Sequence, residues 1–207
     1  MRLTEQENAL DFLRRGVEFL RRVDAEDVCW KWVVISLHGA LYGFAVCACQ
    51  GTDPDTVKWT RKKKGKEEEF LIGFDEALRR CQKKETLSHW MGSKPLVLSK
   101  SQERSLRYLK EELRDNFVHF SPMAWSIELH GLPTIALDVL DIMDFLVVRS
   151  GTYALREPGQ TRMFKELVAE ARKILLKNEL YLEYTRAKEA EDTQGREDGQ
   201  SRGKIAD

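Results

Sequence analysis

Apolar residues recur along much of the chain at the three- and four-residue spacings of helices with one buried face. Leu10, Leu13, Val17, Leu20 and Val23 form the first series, and Thr4 followed by Glu7 is a capping box at its start. A first helix is predicted from about Thr4 to Val23. Acidic punctuation at Asp24 to Asp27 precedes an almost continuous apolar run, Trp32 to Cys49, which Gly51 is placed to end as a left-handed C-cap. Thr52 to Lys66 reads as a loop, and Phe70, Leu71, Phe74, Ala77, Leu78 and Cys81 continue at helical spacing as a third helix.

Lys83 to Leu98 lacks a period and holds Gly92-Ser93-Lys94-Pro95, so it reads as an irregular excursion. Ser99 or Ser101 then caps a fourth helix that ends near Phe120, where Ser121-Pro122 stops it. A connection through Trp125, His130, Gly131 and Pro133 leads to a fifth helix, about Thr134 to Val148, with Gly151 as its cap. Glu157-Pro158-Gly159 reads as a turn. The last helix carries Phe164, Leu167, Val168, Ala171, Ile174, Leu175 and Leu182. From about Ala187 the chain is charged and without aromatics, the composition of a disordered tail. The pattern predicts an all-α, up-and-down bundle of about five to six helices over residues 1–186, followed by a polar tail at 187–207.

Composition supports one domain rather than two: 207 residues suffice for a hydrophobic core, and 13 Gly and 5 Pro against 34 basic and 34 acidic residues favour helices with charged outer faces. A formal net charge of zero supplies no bulk attraction for nucleic acid or an anionic membrane, so such a partner needs a local basic patch. The densest lies at Lys58, Arg61, Lys62, Lys63, Lys64 and Lys66. It reads as a solvated connection, with contact to RNA phosphates through Arg61 to Lys64 as the alternative. Trp32 to Cys49 reaches the lower edge of a membrane-spanning length. Ser36, His38, Gly39 and Gly43 dilute it, so it reads as a buried bundle helix, with Gly39 and Gly43 marking the close approach of a neighbour. The four cysteines, Cys29, Cys47, Cys49 and Cys81, form no CxxC pair, and the start has no signal-peptide pattern. A cytoplasmic protein with no membrane partner is expected.

Chemistry concentrates on the fourth helix. Leu106, Leu109, Leu113, Phe117 and Phe120 form its apolar stripe, while Tyr108, Glu112, Asp115 and His119 fall on roughly the opposite side, with Arg114 between the faces. His119 therefore points away from its own core. Tyr108 and Val118 lie off the stripe and suggest that a partner helix, such as that of a second copy, covers this side. Imidazole titrates near neutrality and guanidinium is a fixed cation suited to oxyanions.

The run Leu113-Arg114-Asp115-Asn116-Phe117-Val118-His119-Phe120 resembles the signature of the HEPN superfamily, an Arg and a polar residue with a His five positions after the Arg, on a late helix of a bundle. The resemblance covers helix order over about residues 4 to 185. It implies a metal-independent endoribonuclease that cuts single-stranded RNA through its own 2′-hydroxyl, without a cofactor, at a homodimer interface. His119 would be the acid/base and Arg114 the phosphate clamp. Asp115 stands where the family often has Asn; it would orient the His119 ring, while Asn116 would bind phosphate or cap the partner's motif. The same resemblance leaves open an inactive binding or dimerising module, paired with a nucleotidyltransferase-type protein in a toxin and antitoxin system.

Other signals point to packing. Asp138, Asp141 and Asp144 recur every third residue but have no histidine at ligand spacing, so they read as a polar helix face. No phosphate loop, HExxH or GxSxG motif is present. Trp90 and Trp125 read as aromatics closing the bundle ends, and His38 as a buried core histidine that is a secondary site candidate.

Overall fold

A computed structural model describes residues 2–51, 54–63, 66–87, 91–119, 126–152 and 154–190. Thr4 caps α1 (Glu5–Leu20) by accepting from the Glu7 N–H at 3.2 Å, while the Glu7 carboxylate accepts from the Thr4 N–H at 2.8 Å. α1 buries Leu10, Leu13, Val17 and Leu20, the face its periodicity predicts. It packs against α2 (Cys29–Gln50), which begins three residues before the apolar run and ends at Gly51, whose positive φ of 56° only glycine adopts freely. Gly39 and Gly43 lie where the two helices approach: an added Cβ would meet the Phe12 ring or the Ala9 Cβ, each at 2.7 Å.

α2 is the described helix long and apolar enough to cross a bilayer, and 72 % of its most apolar stretch is buried inside the molecule. Helix packing therefore accounts for that composition. Phe44 meets Phe164 edge to face at 5.2 Å, which ties α2 to the last long helix.

The fold is mostly helical, as expected, with one departure at the supposed loop. Residues Pro54–Val57 form a 3₁₀ turn, and β1 (Lys58–Lys63) pairs antiparallel with β2 (Lys66–Leu71). Phe70 and Leu71 are exposed strand residues, not the start of the third helix, because α3 (Phe74–Cys81) begins after Gly73. Trp59 stacks on Phe70 at 4.9 Å and Lys58 reaches Glu69 at 3.0 Å, so cross-strand pairs rather than a buried face hold the hairpin.

The predicted fourth helix is continuous from α4 (Lys100–Arg107), capped by Ser99, through a π-helical segment (Tyr108–Arg114) into α5 (Asp115–Val118). The stop predicted at Phe120 to Pro122, together with Lys64, Trp90 and Trp125, lies outside the described residues. α6 (Leu132–Asp144) packs on α2 and α4 and continues into a second π-helical segment (Phe145–Arg149). Glu157-Pro158-Gly159 is not a free turn: Pro158 opens α7 (Pro158–Leu175), where its missing N–H costs nothing. The chain breaks at Asn178, whose amide donates to Asp24 at 2.6 Å, and is helical again over residues 179–190, so the expected tail starts as helix. Residues 191–207 lie outside the description.

Candidate functional site

The π-helical segment decides where the candidate residues point. Its N–H groups reach five residues back, the Asp115 N–H bonding the Lys110 carbonyl. Each such turn takes up an extra residue, so everything after Tyr108 is rotated from the position that uniform 100° steps assign. Leu106, Leu109 and Leu113 remain buried. Arg114 and Asp115, placed by the sequence between the faces and on the outer face, are instead both half-buried, with side chains 35 % and 36 % exposed. Arg114 Nη1 donates to Asp115 Oδ1 at 2.7 Å. That bond, ahead of the charges of Arg114, Lys110 and His119, holds the Asp115 carboxyl below its ordinary range.

His119 is the first residue beyond the helix, with φ −97° and ψ 106°, and its N–H closes the last turn on the Asp115 carbonyl at 2.8 Å. Its ring is exposed and has no hydrogen-bond partner among the described residues. Asp115 is thus the residue that Arg114 and His119 share, its carboxylate bonded by the guanidinium of one and its carbonyl by the N–H of the other. The Asn116 amide is committed to the Glu112 carbonyl at 2.7 Å, so it does not offer that donor to a phosphate. Tyr108 is 38 % exposed but lines a different cavity, a groove of about 770 Å³ between α4 and α6 that also holds Ser105 and Tyr184. The structure does not bring Tyr108 to Arg114.

Arg114 lines a crevice of about 510 Å³ together with Lys110, the turn at residues 73–76 and His38 from α2. His38 is 8 % exposed and its ring stacks on Phe74 at 4.3 Å. Burial, reinforced by the Arg114 charge, lowers this imidazole to about 4, so it is neutral near pH 7. The sequence marked His38 as a buried histidine; its proximity to Arg114 needed the π-helical rotation, which no residue pattern announced.

Among the described residues of the basic cluster, Lys58 is already paired, with Asp55 and Glu69, and the strand register sets Arg61 opposite Glu68 and Lys62 opposite Glu67. The backbone of Lys62 and Lys63 lies in β1. The helix-six aspartates are structural: Asp138 accepts from Ser105 at 2.6 Å, Asp141 pairs with Arg172 and Asp144 with Arg149. Among the described residues no group of three or more His, Cys, Asp or Glu is assembled to hold a metal ion. Compared with known protein families, curated proteins and solved structures, the chain has no match.

Proposed function

We propose that this is a HEPN-like RNA-binding protein and metal-independent endoribonuclease, working as a homodimer with Arg114 and His119 in its cleft. The observation that carries the reading is the linkage through Asp115, whose carboxylate accepts from Arg114 at 2.7 Å and whose carbonyl accepts from the His119 N–H at 2.8 Å. Arg114 is thereby anchored as an oxyanion clamp, while His119 stands free at an exposed helix end, where a substrate can reach it. In the reaction the 2′-oxygen attacks its own phosphorus and the bond to the 5′-oxygen breaks. The products are a 2′,3′-cyclic phosphate and a 5′-hydroxyl. One proton passes from the 2′-oxygen to the 5′-oxygen, a transfer that imidazole serves at neutral pH, and the guanidinium stabilises the phosphorane's negative charge.

Exposed Tyr108 and Val118, 38 % and 41 % accessible on this long helix, favour a second reading in which the surface only docks a partner. One experiment separates the two. Purified protein is incubated with single-stranded RNA in excess chelator beside His119→Ala and Arg114→Ala. The nuclease reading expects cutting by the wild type, lowered about 10²–10⁴-fold in each variant. Cutting that survives both substitutions, or that needs a divalent cation, refutes it. Uncut RNA with dimers that Val118→Glu dissociates supports the docking surface.

A further inference from the structure

We infer that the crevice between α2, the start of α3 and the π-helical segment is a binding pocket for a single phosphate-class oxyanion, held by Arg114, Lys110, His38 and the first backbone N–H groups of α3. Four observations converge there. The first is His38: it is more than nine-tenths buried, it lines the crevice, and neither ring nitrogen has a hydrogen-bond partner among the described residues. Its ring nitrogens are not sealed from solvent, so a ligand in the crevice can take the place of water at them. Neutral at pH 7, it presents one N–H donor and one acceptor.

The second is the start of α3. Gly73 is its N-cap, in extended backbone with φ −73° and ψ 172°, and no side chain caps the helix. Gly73 and the first turn, Phe74, Asp75 and Glu76, line the same crevice at the end of the helix where the dipole favours negative charge. A Cβ on Gly73 would meet nothing within 4 Å, so the backbone there is open to a ligand.

Charge is the third. The carboxylates near the pocket are already committed: Asp75 to Lys110, Glu76 to Arg79 and Arg80, and Asp115 to Arg114. The two cations that line the crevice, Lys110 and Arg114, are matched there by Asp75 and Glu76, with Glu76 held by Arg79 and Arg80 from outside it; the largest charge effect on His38 is that of Arg114. Size is the fourth: about 510 Å³ admits a phosphate and part of what it is attached to.

The inference rests on the proposed RNA reading only in taking the carrier of the phosphate to be a nucleic acid; the phosphate pocket itself is measured separately. The probe is inorganic phosphate, titrated into the full chain at fixed ionic strength while the histidine ring resonances are followed by NMR. His38 faces Tyr42 of its own helix, Asp75 and Glu76 of α3, and Lys110, Arg114 and Asp115 of the long helix. Phosphate is a monoanion in the range where His38 titrates, and one bound within that set stabilises the imidazolium, so the His38 titration midpoint should rise by about one pH unit. Arg114→Gln and Lys110→Gln, both at part-exposed positions, should each weaken phosphate binding about tenfold. A His38 signal that phosphate leaves unmoved, or that moves equally in chloride or in Arg114→Gln, overturns the pocket. RNA cutting without phosphate binding would remove the pocket and leave the nuclease reading; phosphate binding without cutting would do the reverse.

Discussion

Replacing Gly43 by alanine should destabilise the protein by about 1 kcal/mol, although alanine is the better helix former. A Cβ at position 43 falls 2.7 Å from the Ala9 Cβ and 3.3 Å from the Ala9 Cα. Carbon atoms in contact rest at about 3.5–4.0 Å, so α1 and α2 must part locally by about 1 Å. A gap of that size forfeits roughly a quarter to a half of each dispersion contact across it. These helices bury Leu10, Leu13, Leu37 and Leu41, so the loss is felt beyond the clash. Overpacking of this kind costs about 1–3 kcal/mol, from which the propensity gain of about 1 kcal/mol is subtracted. Ala9→Gly alone should cost about 1–2 kcal/mol, from lost propensity and one unburied methyl. The double variant moves the methyl from one helix to the other and should return close to wild type, giving a coupling of about 2 kcal/mol. Urea unfolding of the four proteins, followed by circular dichroism, measures the cycle. Additive losses in the double variant would refute close approach as the limit at this seam. Gly39→Ala is the milder control, since it meets the ring of a half-buried Phe12 that can swing outward.

Burial sets a pH dependence and a thiol reactivity. His38, lowered to about 4 chiefly by desolvation and then by Arg114, titrates below an unfolded histidine at about 6.5. The unfolded chain therefore takes up the proton first: stability is fully kept above pH 6.5 and falls by about 3 kcal/mol as the pH drops to 4. His38→Gln should flatten this limb in urea unfolding between pH 7 and 4; an unchanged slope would locate the titrating group elsewhere. All four cysteines are buried, Cys47 pushed up to about 12 by burial and Cys81 raised by its hydrogen bond with Cys49 and by burial. Because the thiolate is the nucleophile, a disulfide reagent at pH 8 should label all four thiols in denaturant and essentially none in the native protein. Rapid native labelling would contradict that packing.

The helices were legible where periodicity, capping and glycine agreed. Thr4 with Glu7 and Ser99 with Gln102 form capping boxes that fix two starts, and Gly39 with Gly43 announced the α1–α2 seam. The hairpin was hidden because it buries no face: β2 is exposed along its whole length, so it carries no alternating apolar signal. Its cue was instead the complementarity of Lys58, Arg61 and Lys62 with Glu69, Glu68 and Glu67, which appears only when the two segments are read antiparallel. Of the cations that looked like a patch for phosphate, Lys58 is paired with Glu69 and Arg61 stands opposite Glu68 in that register. The break at Asn178 was equally silent in the apolar period, and its amide is held by Asp24, 154 residues away.

The candidate site shows why a residue list does not by itself give a geometry. Arg114, Asp115 and His119 are where the sequence numbered them, but the turns before them are π-helical. That single irregularity carries Arg114 and Asp115 close enough to α2 for their charges to act on His38. A regular helix would divide a surface motif from a core histidine. The observed one gives both a share in the same guanidinium: Arg114 bonds Asp115 on one side and borders the His38 crevice on the other. On the two proposals, Arg114 is therefore the residue whose loss should affect phosphate binding, RNA cutting and the titration of His38 together. His119, at the exposed helix end, should affect cutting without moving His38. If the two substitutions behaved alike at His38, the division of labour between them would be lost, and the motif would be one surface feature rather than two coupled ones.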